Sequence, residues 1–269
     1  MIRARGRINP CIATCLREPG SGIVQSLLPF RESLGIYRAM LDRPRITHVI
    51  YDLDGLLLDT ESINEAVNRA IADRYGCAYD PAVRGQIAGR DAHTSSAILV
   101  EWLGLPISPE AMLEQRRQLV AQWRPVAQPM PGAVELTQHL HRCGVPQAIA
   151  TSSSRGPFAW KAAPHQAWFQ LFQCTVLSDD PGVRQAKPAP DLFLEAARRV
   201  GADPDRCLVF EDAPAGVAAA RAAGMTVIAI PDPMLERSAL VGAAAILPSL
   251  EAFEPVGWGL PERSAALAC

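Results

Sequence analysis

No stretch of this 269-residue chain is apolar for long enough to cross a bilayer. Even the run from Val145 to Ala150 is short and broken by Pro146, against the ~18 to 20 residues that a span requires, so a membrane-spanning role is excluded. Charge of one sign is missing too: 26 basic and 28 acidic residues leave a formal net charge of −2, and nothing recommends a nucleic-acid partner. Paired cysteine spacing is absent as well. The seven cysteines (Cys11, Cys15, Cys77, Cys143, Cys174, Cys207, Cys269) are scattered without a C-x-x-C pair, which argues against a zinc site or redox couple and fits a reducing cytoplasm. Finally, residues 1–44 lack a sustained apolar period. Arg3, Arg5 and Arg7 open them without a secretory apolar core, so they read as an extension, either a weak transit-like segment or an upstream start with Met40 as the true beginning.

What is present is the composition of a globular protein, 49% hydrophobic and 20% charged, in a chain long enough for a main domain with a smaller one inserted. From Ile46 a β-branched run continues to Tyr51 and ends in acidic residues and glycine, as a buried strand does. Gln147–Ala150, Cys174–Leu177, Cys207–Phe210 and Met225–Ile230 are comparable, separated by helical stretches such as Asp191–Val200 and Ala213–Ala223. Alternating strand and helix predicts an α/β fold with a parallel sheet. Between them the pattern is helical only: Glu61–Tyr75, Thr94–Leu103 and Pro109–Trp123, the last opened by Ser108 with proline in its first turn. The expected organisation is therefore a core of residues 45–61 and 129–253, a helical cap over 62–128, and a C-terminal tail over 254–269. Pro129-Met130-Pro131-Gly132 would be the hinge returning the chain to the sheet.

In open parallel sheets, ligands bind beyond the carboxyl ends of the strands. Three strands here run into polar residues: Asp52-Leu53-Asp54-Gly55, Thr151-Ser152-Ser153-Ser154 and Glu211-Asp212. Each alone has a plain reading, as a turn or a helix N-cap. Together they place four carboxylates at one edge, which would repel one another unless a divalent cation neutralised them, and an oxygen-only set suits magnesium. With Asp52 and Asp212 holding Mg2+, a free oxygen of Asp52 could attack phosphorus. Asp54, two residues along an extended segment, returns to the same side for proton transfer. Thr151 and the backbone N–H of Ser152 would grip the phosphoryl oxygens. Lys187, in Lys187-Pro188-Ala189-Pro190-Asp191, would offset their charge, the prolines holding its side chain in place.

These four segments, in this order and spacing, resemble the four motifs of the haloacid dehalogenase superfamily over residues 46 to about 250. The resemblance implies a Rossmann-like sheet core with an inserted helical cap, and a magnesium-dependent phosphatase working through an aspartyl phosphate on Asp52. It also implies that Asp54 ligates magnesium through its carbonyl and that Glu211 completes the metal set with Asp212. A cap placed straight after the first motif matches the β-phosphoglucomutase-like branch. Met130-Pro131-Gly132, Ala150-Thr151-Ser152-Ser153, Asp179-Asp180-Pro181, Lys187 to Leu194 and Cys207 to Pro214 are similar to the pseudouridine-5′-phosphatase group. Ala215 departs from that group, where asparagine is expected, and residues 1–44 have no counterpart in it.

Two other functions compete. A phosphomutase would return the phosphoryl group to a second hydroxyl, but the mutases carry a histidine where this chain has Asn64, which tilts the reading to hydrolysis. A non-catalytic phospho-ligand-binding protein would have no need of Asp52 and Asp54, and both are present. The expected partner is a small phosphorylated metabolite enclosed beneath the cap, with Arg90 in Ala88-Gly89-Arg90-Asp91 and then Asn64 as the residues contacting it. Trp102 and Trp123 are expected to pack in the cap, and His139 and His141 to lie on the surface. The sequence carries no sign of oligomeric state.

Overall fold

The β-branched run that opens the regular part of the chain forms β1 (His48–Tyr51), near the middle of a sheet in the computed structural model, which describes residues 45–87, 90 and 92–263. Expectations for residues 1–44, including Cys11 and Cys15, fall outside the described residues. After β1 come the helices α1 (Glu61–Arg74), α2 (Arg84–Ile87), α3 (Ala92–Leu103), α4 (Pro109–Trp123) and α5 (Ala133–Arg142). The remaining order is β2 (Gln147–Ala150), α6 (Arg155–Ala162), α7 (Gln166–Phe169), β3 (Cys174–Val176), α8 (Asp191–Val200), β4 (Cys207–Glu211), α9 (Pro214–Ala222), β5 (Thr226–Ala229) and β6 (Ala245–Ile246). The six strands pair in parallel in the order β3-β2-β1-β4-β5-β6.

Both faces of the sheet are buried, which is why its strands read as continuous apolar runs. Successive side chains of β1 go to opposite faces: Val49 and Tyr51 join Phe210, Leu136 and Phe253, while Ile50 joins Val209, Phe193 and Val217. The register then sets the site. Tyr51 lies level with Ile149 of β2 and Phe210 of β4, so the residues that follow these strands emerge side by side.

The cap has its own core, in which Val67 and Ile71 of α1 meet Leu99 and Leu103 of α3 and Met112 and Leu119 of α4. Ser108 caps α4, its side chain accepting from the Ala111 N–H at 3.2 Å. The two crossings between cap and core run together: Asp59 N–H donates to Gln128 at 2.8 Å and Met130 N–H to Leu57 at 2.9 Å. The second crossing ends at Gly132, whose φ of +78° and 2.4 Å clearance from a would-be Cβ to the Glu251 nitrogen demand glycine.

Two expectations are corrected. Trp102 and Trp123 are 47% and 42% exposed instead of packed, because the buried stripe of α3 runs through Ser95, Leu99 and Leu103, while Trp123 closes α4 beyond the cap core. His139 is buried, not on the surface, and its Nε2 lies 3.0 Å from the Pro261 carbonyl oxygen; His141 is exposed. In the C-terminal segment, Leu260 joins the main core and Arg263 donates to the Leu250 carbonyl at 2.7 Å.

Candidate active site

β1, β2 and β4 are neighbours, so their carboxyl ends deliver Asp52, Thr151 and Glu211-Asp212 to one edge. The Asp52 N–H extends the ladder to the Phe210 carbonyl at 3.0 Å, and the side chain is almost wholly buried. Lys187 reaches it from the loop before α8: its Nζ donates to Asp52 Oδ1 and Glu211 Oε1, both at 2.5 Å, and to the Ala150 carbonyl at 3.2 Å. Glu211 Oε2 accepts from the backbone N–H groups of Asp212 and Ala213 at 3.0 and 3.1 Å. Glu211 therefore ties the lysine to the turn that carries Asp212.

Glycines make this closeness possible. A Cβ on Gly216 would stand 1.7 Å from Glu211 Oε1, and one on Gly55, at φ +81°, would stand 2.4 Å from Asp212 Oδ2.

Asp54 has a separate set of partners. Its Oδ2 accepts from Ser153 Oγ at 2.8 Å and Thr151 Oγ1 at 3.3 Å, and its Oδ1 accepts from Lys161 Nζ, which also donates to Ser153 Oγ at 2.7 Å. Thr151 Oγ1 in turn accepts from the Ser153 N–H at 3.0 Å. The hydroxyl of Thr151 thus sits beneath Asp54, fully buried, while Ser152 and Ser153 line the cavity above.

The two aspartates are pushed in opposite directions. Burial, opposed by Lys187 and reinforced by Glu211 and Asp54, raises the Asp52 carboxyl to about 7. Burial alone would also raise Asp54, but Lys161 and the hydroxyls of Ser153 and Thr60 outweigh it and hold that carboxyl below its ordinary value. Burial, then the charges of Glu211, Asp52 and Glu61, raises Asp212 well above the usual carboxylate range.

Asp52, Glu211 and Asp212 each present a carboxylate oxygen within 4.8 Å of the others. All the donors are hard oxygens, and burial, reinforced by neighbouring carboxylate charges, raises Asp52 and Asp212, a penalty that a divalent cation would relieve. The set fits magnesium.

Above this edge lies a cavity of about 750 Å3 between the strand ends and the inner face of the cap. Asn64 stands in its wall, donating from Nδ2 to Glu61 Oε1 at 3.1 Å and accepting at Oδ1 from Arg116 Nη2 at 3.2 Å. Arg84 crosses from cap to core, pairing with Asp232 beyond β5 and with Glu65 of α1 at 3.2 Å. Arg90 also lines the cavity, exposed, its Nε donating to the Gln86 carbonyl at 2.7 Å; Ala88, Gly89 and Asp91 around it are outside the described residues.

The structure brings Asp52, Asp54, Thr151, Lys187, Glu211 and Asp212 together, and places Asn64, Arg90 and Ser152 on the same cavity. Lys161, Arg84 and Arg116 escape the sequence reading, because each comes from a helix whose inward side is set by packing. The one signal for Lys161 is its distance of two helical turns from Ser154, the residue at the N-cap of α6.

Residues 46–224 match the family of haloacid dehalogenase-like hydrolases. The chain is 42% identical over 224 residues to the Arabidopsis thaliana protein named (DL)-glycerol-3-phosphatase 1, mitochondrial, covering 81% of this chain and 75% of that one. It is 41% identical to a Drosophila melanogaster protein named Probable pseudouridine-5′-phosphatase, covering 81% and 95%. Among solved structures, a haloacid dehalogenase family hydrolase from Deinococcus radiodurans R1 with bound phosphate and sodium superimposes with a TM-score of 0.70 at 27% identity, covering 82% of this chain and all of that one.

Proposed function

The chain belongs to the haloacid dehalogenase-like hydrolases, and on that premise we propose that it is a phosphatase of small phosphomonoesters, sugar or nucleoside phosphates, working through an aspartyl phosphate on Asp52. The observation that carries this reading is the position of Asp52. It is a buried carboxylate at the end of β1, bonded to a buried lysine and open to a cavity roofed by the cap.

Asp52 and Asp212, with the backbone carbonyl of Asp54 as the family resemblance implies, would hold Mg2+, and Glu211 would complete the set from the Lys187 side. The bound cation would supply charge neutralisation for the carboxylates and the phosphoryl oxygens. An oxygen of Asp52 attacks phosphorus as the bond to the leaving oxygen breaks, and Asp54, which its partners hold ionised, takes up a proton with the arriving substrate and passes it to that oxygen. Asp54 then takes a proton from the water that attacks the phosphoryl group, restoring Asp52. Thr151 and Ser153 aim Asp54 through both sides of one oxygen. Lys187 balances charge beside the nucleophile, and the Ser152 backbone grips the phosphoryl oxygens from the β2 side.

The cap decides size and acceptor. A recessed cavity of this volume beneath the cap takes a metabolite more readily than a phosphoprotein surface, and the cap limits access of bulk water to the intermediate. Asn64, whose amide is fixed between Glu61 and Arg116, has no proton to exchange in the way a mutase histidine would, which supports water as the acceptor. Four free cysteines among the described residues accord with a reducing compartment such as the cytoplasm.

Assay of 4-nitrophenyl phosphate hydrolysis by the purified full-length chain tests the reading. Asp52→Asn is expected to reduce turnover by at least roughly 10^3-fold, and excess chelator to abolish it reversibly. Turnover by the variant at near wild-type rate would overturn the mechanism.

A further inference from the structure

Arg116 is the feature of the cavity that the mechanism leaves unused. Its guanidinium comes in from α4, and Nη2 donates to Asn64 Oδ1 at 3.2 Å, while Nη1 is buried with no partner among the described residues. An unsatisfied donor on a buried charged group is costly to keep, and a ligand that meets it would remove that cost. The partners around it make the arrangement specific. Asn64 is bonded at both ends, to Glu61 through its NH2 group and to Arg116 through its carbonyl oxygen, which orients the amide and holds both neighbours. Glu61, in the first turn of α1, lines the same cavity, and one of its oxygens accepts from Asn64, leaving acceptor capacity for a further hydrogen bond.

We propose that Arg116, joined to Glu61 through Asn64, is the specificity-determining residue of this cap, and that it selects leaving groups that are neutral and bear hydroxyls over leaving groups that carry a second anion. The inference rests on the phosphatase reading above. A fixed donor beside a fixed acceptor suits an alcohol, whose oxygen accepts from Arg116 Nη1 while its O–H donates to the Glu61 carboxylate. A carboxylate or second phosphate on the substrate could take the arginine's hydrogen bond but would meet the charge of Glu61, with no proton to give it. The guanidinium alone would have favoured such anions; the Glu61 carboxylate beside it is what turns the site toward polyols and sugars.

The test compares kcat/KM for three substrates on the full-length chain: glycerol-3-phosphate, which offers neighbouring hydroxyls; 2-phosphoglycolate, which offers a carboxylate; and 4-nitrophenyl phosphate, which offers neither. Arg116→Ala is expected to lower the ratio of glycerol-3-phosphate to 4-nitrophenyl phosphate by roughly tenfold or more, chiefly through KM. Glu61→Gln keeps the shape but removes the charge, and is expected to raise 2-phosphoglycolate relative to glycerol-3-phosphate by at least roughly threefold. Because Arg116→Ala also removes packing from the cap, thermal melting accompanies each assay, and Glu61→Gln carries the test if the alanine variant does not fold. Folded variants in which all three substrates change by one common factor would overturn this inference while leaving the phosphatase reading intact. A wild-type chain that hydrolyses none of the three would overturn that reading, and this inference with it.

Discussion

Gly216 shows how tightly single residues are bound into the site. A methyl group there would occupy the place of Glu211 Oε1, which is bonded to Lys187, and the lysine would lose one of its two carboxylate partners next to the nucleophile. Gly216→Ala is therefore expected to lose about 1–3 kcal/mol of stability, from overpacking a buried contact, as measured by urea denaturation. Its kcat is expected to fall at least roughly tenfold, because charge balance at Asp52 is disturbed. Wild-type stability and turnover would mean that the Glu211 position is more yielding than the packing implies. At this scale the sequence was most legible where chemistry sits directly after a strand. Asp52, Asp54, Thr151, Glu211 and Asp212 are addressed by the sheet alone, and Lys187 by its prolines. Lys161, Arg84 and Arg116 are not: they are charged residues on helices, and a helix period does not distinguish a charge facing solvent from one facing a cavity. Asn64 was legible as a position, but not as the middle of a hydrogen-bonded chain from Glu61 to Arg116.

Among the elements, α4 was read with the bounds it has, Pro109 to Trp123, its start from Ser108 as N-cap and Pro109 in the first turn. Loss of the cap in Ser108→Ala is expected to destabilise by about 1 kcal/mol, read as a lowered melting temperature of the cap or of the whole chain. Since Arg116 lies midway along that helix, cavity binding should weaken along with it; an unchanged melting temperature would show that cap packing, not the N-cap, sets the start of α4. The strands of the central sheet were legible because burial on both faces makes them continuous apolar runs. The two-residue β6 was not, since Ala245 and Ile246 sit among alanines with no period of their own. The tryptophans were misread for a related reason. Spacing alone puts Trp102 near the apolar stripe of α3, but that stripe runs one residue away, and the indole instead donates to Asp80 at the rim, at 3.2 Å.

For the molecule as a whole, stability in acid should depend on Glu195, on the face of α8 that packs under the loop after β3. Arg198 and then Arg199 bond it and hold its carboxyl down at about 2, against an ordinary value of 4.5. A carboxyl lowered in the folded state adds stability above its unfolded value and loses it as pH falls toward the folded one. The stability difference between the wild type and Glu195→Gln should therefore be constant above about pH 5 and shrink between about 4.5 and 2. A difference independent of pH across that window would remove Glu195 from the account. The two-part architecture, a parallel sheet with an inserted helical cap, was foreseeable from the change to a helical pattern at Glu61. How the cap closes was not, because the Arg84–Asp232 pair joins residues far apart in sequence. The central claim, that Asp52 is the nucleophile, is tested most directly by mixing the protein with 4-nitrophenyl phosphate and magnesium, quenching in acid within the first turnover, and mapping the product by peptide mass spectrometry. The account predicts one phosphoryl group on the peptide that carries Asp52, absent from Asp52→Asn; release of nitrophenol with no such adduct, or an adduct on another residue, would contradict it.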